Sequence, residues 1–284
     1  MWWVMAAMAV PPCPTQAVDE VRALAAQLAA IEPGLRSLVP DLPPLSETAW
    51  AHVRDDGTWL AVGSHFPPTC TVDAYEVGER QLWPMPGSGS TSLFTTDAGT
   101  RPILAVGTHD ERRDGWDTIG HDAIIVHEWQ HVGQALALRD AFPDAKQRDQ
   151  LTRRFAKGRS FSEAVRTFAD ALKVGCGPDA LQAYGRVLDE LPAKLHGAFQ
   201  TYVVVEGFAR HTEVRYELGR RGEAEDDATM VQRCRVMEGA EFGYPVGCLL
   251  AQRKQRCHPD DEQAFHADVG RWLEQSPRPA SNVR

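Results

Sequence analysis

The sequence lacks any apolar run of the roughly 20 residues that a membrane-spanning helix needs, and it lacks an excess of basic residues. Its 30 Lys and Arg are outnumbered by 39 Asp and Glu, which gives a formal net charge of −9. Because nucleic-acid binding needs a basic face, nucleic acid is not expected as a partner. These absences predict a soluble protein without a transmembrane segment, or one tethered only by its start.

Cysteine is scarce and is not arranged in metal-binding pairs. The six Cys include no C-x-x-C pattern of the zinc or redox type. Cys234 and Cys257 bracket a helical region and could form a disulfide bond, but buried free thiols explain them equally well. The cysteines therefore indicate neither a redox motif nor a zinc ribbon.

The N-terminus has the character of a signal peptide. The apolar segment MWWVMAAMAV includes Ala7-Met8-Ala9, whose small residues are typical of a cleavage site. No Lys or Arg precedes the run, and an apolar N-terminus packed on the protein is the alternative. We expect export to the periplasm or the extracellular space, and otherwise a cytoplasmic protein.

The first half of the chain changes from helical to β-type patterning. Residues 17–31 repeat apolar positions at helical spacing, and Pro33-Gly34 should end this helix. From Trp50 to about Val106 the pattern predicts strands. The stretch WAHVRDDGTWLAVG contains a D-G turn typical of a hairpin, and a second strand pair should turn at Ala98-Gly99.

The rest of the chain is predicted to be helical almost to its end. Asp117 is a candidate N-cap for a helix from Thr118 to about Arg139. Further helices are expected at 145–157, 161–173, 178–189, 193–219, 226–238, 245–255 and 260–275.

Together these patterns predict an α+β fold. A small N-terminal mixed or antiparallel sheet should pack on an active-site helix and be followed by a mostly helical C-terminal half. The expected organisation is an apolar N-terminus at 1–16, a sheet and motif-helix region at 17–139, a helical subdomain at 140–275 and a loose tail at 276–284.

The segment HEWQH, which begins at His127, carries the clearest chemistry. On a helix, His127 and His131 share one face, so both imidazoles can reach one Zn²⁺ at about 2.0–2.1 Å. Glu128 lies about 100° round the helix from the first histidine, where it can take a proton from a water that the metal activates. A helix with two incidental histidines is the alternative interpretation.

A catalytic zinc site needs a third protein ligand. The residues after His131 are Val-Gly-Gln-Ala-Leu-Ala, which excludes the class with a third histidine in H-E-x-x-H-x-x-G-x-x-H. Glu206 follows the apolar run YVVV, and a buried carboxylate there needs a metal or an ionic partner. Glu213 lies two turns further on and could orient a histidine from the outer shell. The alternative is an ion pair of Glu206 with Arg210 at i+4.

The motifs HEWQH and EGFARHTE resemble the gluzincins, the thermolysin-like zinc metallopeptidases. The resemblance covers about residues 100–250 and is specific only at these two motifs. It implies His127, His131 and Glu206 as zinc ligands and Glu128 as general base. It also implies that RPILAVGT is an edge strand that binds extended substrate. The gap of 75 residues between His131 and Glu206 departs from the shorter thermolysin-like spacing, so 140–195 would be a helical insertion.

The chain also departs from the gluzincin pattern at a position that would orient a histidine ligand. Thermolysin-type members carry Asp four residues after the ligand Glu, where this chain has Arg210. Glu213 is the candidate substitute for that carboxylate.

A zinc hydrolase also needs a donor for the oxygen on which charge develops. Tyr244 is the first candidate, because it lies at a predicted helix start in EFGYPVG, like Y-x-x-G segments in related sequences; a packing role is the alternative. His211 and Tyr216 are further candidates. His121 is expected to be solvated or to cap a helix, and His258 to lie in a loop.

The sequence therefore predicts a zinc metallopeptidase that hydrolyses peptide bonds in a peptide or protein substrate. Two alternatives stay open. One is a non-catalytic, zinc-stabilised binding domain on a peptidase-like scaffold, and the other is a metal hydrolase that acts on a non-peptide amide.

Overall fold

A computed structural model describes residues 15–53, 59–62, 89–96, 99–107, 115, 117–138, 145–175, 177–234, 242–257 and 269. Several predictions made above concern residues outside these ranges: the signal segment, the D-G turn of the first hairpin, the loop position of His258, the last helix and the tail. The division of the chain into domains stays a prediction.

Eight helices of eight residues or more lie in the described ranges, and most coincide closely with predicted ones. They are α1 Thr15–Leu38, α2 Thr118–Leu138, α3 Ala145–Lys157, α4 Arg159–Val174, α5 Pro178–Asp189, α6 His196–Arg221, α7 Asp227–Cys234 and α8 Gly243–Cys257. Short 3-10 turns occur at Leu45–Glu47 and Ala193–Leu195. None of the eight is long and apolar enough to cross a bilayer.

The first helix is longer than its sequence suggested. Pro33 lies inside α1, which continues to Leu38 instead of ending at Pro33-Gly34. A proline inside a helix costs about 3 kcal/mol. Ile31 and Leu35, on either side of it, are completely buried, so the packing of this face offsets the local cost.

Four described strands form one sheet with the order β2-β1-β4-β3. They are β1 Trp50–Val53, β2 Trp59–Val62, β3 Gly89–Thr96 and β4 Gly99–Gly107. β1 and β4 run parallel, and the two outer pairs are antiparallel. RPILAVGT was expected at an edge, which is wrong, because β4 is paired with β1 on one side and β3 on the other.

The predicted α+β class is wrong as well. Helices make up most of the described chain, and parallel pairing within it is confined to β1 and β4. The larger hydrophobic cluster consists almost entirely of helix residues, among them Phe161, Phe168 and Phe199. Most of the apolar surface is therefore buried between helices, and a sheet this small cannot provide the main core.

The second hydrophobic cluster fixes the helix that carries HEWQH. It joins α1, β1, β4 and α2 through residues such as Leu28, Trp50 and Leu104. Trp129, at the centre of the motif, is fully buried in this cluster, and its Nε1 donates to Thr48 Oγ1 at 3.3 Å. The tryptophan therefore anchors α2 in the core.

The helix that carries Glu206 approaches α8 at backbone contact. A Cβ atom built on Gly207 would lie 2.1 Å from backbone atoms of Gly247, and one built on Gly247 would lie 1.9 Å from the carbonyl oxygen of Val203. Only glycine allows two helices to come so close. This contact brings the start of α8, which carries Tyr244, close to the part of α6 that carries Glu206.

A disulfide bond strengthens the same region. Cys234 at the end of α7 is bonded to Cys248 in α8. The pairing of Cys234 with Cys257 suggested above is therefore wrong. Closing a loop of about 15 residues in this way stabilises a fold by about 3 kcal/mol in the chain-entropy account.

The glycine contact leads to a test. Gly207→Ala should lower the free energy of unfolding by about 1–3 kcal/mol or more, because the added methyl group overlaps the backbone of Gly247. Gly219→Ala is the matched control, since it lies on the same helix with nothing within 4 Å of the added atom. Urea denaturation measures both. Equal stability of the two variants would contradict the described packing.

Candidate metal centre

The helix that carries HEWQH, α2, is capped by Asp117 as predicted. The Asp117 carboxylate accepts a hydrogen bond from the backbone N–H of Gly120 at 2.8 Å, and Arg221 pairs with its two oxygens at 2.8 Å each. Arg221 and this backbone bond lower the pKa of Asp117 to about 2.

The two histidines of HEWQH lie one turn apart on α2. His127 and His131 are both buried, and their ring centroids are 4.7 Å apart.

His127 is oriented by a carboxylate from α6. Its Nδ1 lies 3.0 Å from Glu213 Oε2, and Arg210 forms an ion pair with the other oxygen of Glu213. A carboxylate accepts hydrogen bonds, so the Nδ1–H donates and the Nε2 of a neutral His127 presents its lone pair. The structure thus places the Glu213 carboxylate in contact with His127. The sequence analysis suggested Glu213 as a carboxylate that orients a histidine.

His131 is oriented by a residue that the sequence analysis missed. Its Nδ1 lies 2.7 Å from Oε1 of the fully buried Gln134, whose Nε2 donates to the carbonyl oxygen of Val205 at 3.0 Å. Because the amide nitrogen is used for Val205, Oε1 must accept from the Nδ1–H of His131. Gln134 lies three residues after His131 in the sequence, but a glutamine at that distance from a histidine is too common to predict a contact between them.

Three acceptor atoms converge between α2 and α6. The Nε2 atoms of His127 and His131 are 3.0 Å apart, and Glu206 Oε2 lies 3.7 Å from the first and 3.4 Å from the second. Glu206 is 3% exposed, and no residue that the structure describes donates a hydrogen bond to its Oε2. Three lone pairs brought together in a buried space need a metal cation or a proton among them.

The spacing of these atoms suits zinc. Two ligands held at about 2.0–2.1 Å in tetrahedral geometry lie about 3.3–3.4 Å from each other. The three observed separations of 3.0, 3.4 and 3.7 Å surround that value. Two imidazoles and one carboxylate are also a donor set that catalytic zinc takes, with a fourth position left open. The residues present therefore fit a zinc ion.

The pKa values of the histidine and carboxylate groups also indicate that the centre favours a positive charge. Burial by itself lowers the pKa of His127, but its contacts with Glu206 and Glu213 outweigh burial and raise that pKa to about 10. Burial would raise the pKa of Glu206, yet His131, His127 and Arg148 hold it well below its ordinary value. A proton on His127 thus meets a need that a metal cation would meet equally well.

The second oxygen of Glu206 is held by an arginine from α3. Nη1 of Arg148 donates to Glu206 Oε1 at 3.1 Å. The alternative in which Glu206 pairs with Arg210 is wrong, because Arg210 pairs with Glu213 instead. Sequence reasoning missed Arg148, since it lies on a different helix far from Glu206 along the chain.

Glu128 lies at the edge of the centre and is partly exposed. One possible ligand atom from each of His127, Glu128 and His131 fits within 4.8 Å of the others. Glu128 is therefore near enough to serve either as a base beside the metal or as a ligand. Glu206 is the better candidate ligand, because its oxygen is buried and faces both Nε2 atoms.

Tyr244 stands beside the centre at the start of α8. Its ring stacks on His127, with centroids 5.4 Å apart and planes 22° from parallel. The described contacts do not place the other two candidates there. His211 Nε2 contacts Gln252 at 2.9 Å, and the Tyr216 hydroxyl accepts from Arg220 while its ring packs in the second cluster.

His121 was expected to be solvated or to cap a helix, which is wrong. It is 1% exposed, and its Nδ1 lies 3.3 Å from Gln27 Nε2 on α1. Gln27 also donates to Asp122 at 2.8 Å. His121 therefore belongs to the contact between α1 and α2.

Comparison of the chain with protein-family models, curated proteins and solved structures finds no match. The resemblance to gluzincins rests on the two motifs alone and stays a proposal.

The hydrogen bonds of Gln134 give a test in metal-free protein. Gln134→Leu removes the acceptor for His131 Nδ1 and the donor to Val205 O, and each buried group left unsatisfied costs about 1–3 kcal/mol. We expect the free energy of unfolding to fall by about 2 kcal/mol or more. Gln232→Leu, at an exposed position of α7, is the control. Similar urea midpoints for the two variants would refute this bridge between α2 and α6.

Proposed function

We propose that this protein is a zinc-dependent metallopeptidase of the gluzincin type. His127, His131 and Glu206 would hold the ion, and Glu128 would act as general base. The observation that carries the proposal is the buried Glu206 Oε2, which faces the Nε2 atoms of both histidines and accepts no hydrogen bond within the described part of the chain. The resemblance of HEWQH and EGFARHTE to gluzincin motifs supports peptide bonds as the substrate.

The outer contacts prepare the ligands for this role. Glu213 and Gln134 fix the Nδ1–H tautomers of His127 and His131, which turn both Nε2 lone pairs toward Glu206. When bound, zinc supplies Lewis acidity, which lowers the pKa of a water molecule and polarises a carbonyl group. Side chains of the protein would transfer the protons and stabilise the developing negative charge.

Glu128 is placed for proton transfer. It adjoins His127 in sequence and is partly exposed, so its carboxylate can take a proton from the attacking water and pass it to the leaving amine. Tyr244, stacked on His127, is our candidate donor to the oxygen of the tetrahedral intermediate. The stacking brings it to the centre, and the hydroxyl supplies the hydrogen bond.

The main alternative is a non-catalytic domain that zinc stabilises. A purely structural site has no use for a base such as Glu128, and it closes its fourth position with a further ligand. A hydrolase for a non-peptide amide would use the same centre, and product analysis separates it from a peptidase.

We also propose that the protein is exported. The support is the disulfide bond between Cys234 and Cys248, because such bonds persist in oxidising compartments.

Zinc binding is tested on the ligands. Wild-type protein should bind one zinc ion, and His131→Ala should weaken binding by more than about 100-fold, which exceeds the effect of outer-shell changes. His196→Ala is the control, because its Nε2 contacts the carbonyl oxygen of Leu191. Metal analysis after dialysis, with circular dichroism to check the fold, measures this. Full zinc content in His131→Ala would contradict the assigned site.

Catalysis is tested on the base. Glu128→Gln should keep its zinc but lose about 10²–10⁴-fold in hydrolysis of casein or a peptide library, because the amide cannot accept the proton. Glu163→Gln, at an exposed position of α4, should keep full activity. A chelator should abolish wild-type activity. Normal cleavage by Glu128→Gln would refute the mechanism, and zinc binding without cleavage by wild type would favour the non-catalytic domain.

A further inference from the structure

Arg148 has a second polar edge that the centre does not use. The residue lies on α3, and its Nη1 donates to Glu206 Oε1 at 3.1 Å. Its side chain is only 17% exposed. The guanidinium is therefore largely removed from water, in contact with the proposed third ligand.

The remaining donors of this guanidinium are unsatisfied. Nε and Nη2 are buried and have no hydrogen-bond acceptor among the residues that the structure describes. A buried donor without an acceptor costs about 1–3 kcal/mol, and more when it carries charge. Two such donors on one side chain indicate that an acceptor joins them in a functional state of the protein.

The shape of the unused edge indicates which acceptor. In a planar guanidinium the Nε–H and one Nη2–H point in the same direction, side by side. This fork matches the two oxygens of a carboxylate, which accept two parallel hydrogen bonds. A single carbonyl oxygen or one water molecule cannot satisfy both donors as well.

The charges near Arg148 are compatible with a bound anion. Glu213 is neutralised by its own partner, Arg210. Glu206 is the one described carboxylate within ion-pair distance of Arg148, and it uses Oε1 for this contact while Oε2 faces the histidines. Once a divalent cation shares Glu206, the positive charge of Arg148 is less compensated still.

We propose, on the basis of the proposed function, that the Nε and Nη2 edge of Arg148 binds a carboxylate of the substrate. The preferred substrates are then peptides with a carboxylate close to the scissile bond. That group is either the free C-terminus or the side chain of an Asp or Glu. Arg148 is a specificity residue in this account, and its contact with Glu206 puts it close to the proposed metal and therefore to the scissile bond.

Calorimetric titration with small ligands tests the proposal in metal-free and zinc-loaded full-length protein. Benzoylglycine carries a terminal carboxylate, benzoylglycinamide lacks it, and benzoylaspartic acid α-amide carries the carboxylate on a side chain. We expect wild type to bind at least one of the two acids about 10-fold or more tighter than the neutral amide. The acid that binds tighter identifies the source of the carboxylate.

Three variants separate recognition from the support of Glu206. Arg148→Lys keeps a positive charge for Glu206 but loses the fork, so it should lose the preference for the acid. Arg148→Met should lose the preference too and also weaken zinc binding. Arg153→Met, on the same helix with a side chain that is 58% exposed, should behave like wild type. If an acid binds directly to zinc, its preference will appear only with metal and will survive both Arg148 variants.

Equal binding of acids and amide by wild type would overturn the proposal, as would an unchanged preference in both Arg148 variants. Failure of the peptidase proposal gives a different result. In that case zinc binding or cleavage is absent, while metal-free wild type still prefers the acid and metal-free Arg148→Lys does not.

Discussion

Two imidazole nitrogens and one carboxylate oxygen are held 3.0–3.7 Å from one another in a buried space between α2 and α6. Their lone pairs repel unless a metal ion or a proton lies among them, so the arrangement costs free energy when neither is present. Surrounding interactions must hold the three atoms in place. Glu213, Gln134 and Arg148 do this by fixing each side chain from behind.

The packing of the helices also holds the three ligand atoms in place. Trp129 anchors α2 in the cluster shared with α1 and the sheet, so the histidines face α6. Gly207 and Gly247 bring α8 to backbone contact with α6. This close approach seats Tyr244 over His127 and leaves the carboxylate of Glu206 directed toward α2. Site and core are therefore parts of one helical assembly.

The local features of this protein could be predicted from its sequence, and the features that join distant segments could not. Helical spacing was enough to put His127 and His131 on one face, and an apolar run pointed to Glu206 as a buried carboxylate. Arg148 and Gln134 gave no such signal, because their roles depend on contacts between helices. The fold class failed for a similar reason. Strand patterns were recognised, but the balance between a small sheet and a large helical core is decided by packing.

A crystal structure of zinc-loaded protein, with anomalous scattering collected at the zinc edge, tests the central claim most directly. The account predicts one ion at about 2.0–2.2 Å from the Nε2 atoms of His127 and His131 and from one oxygen of Glu206, with Glu128 outside bonding distance. An ion bound by Glu128 in place of Glu206, or no ion between the two histidines, would contradict it.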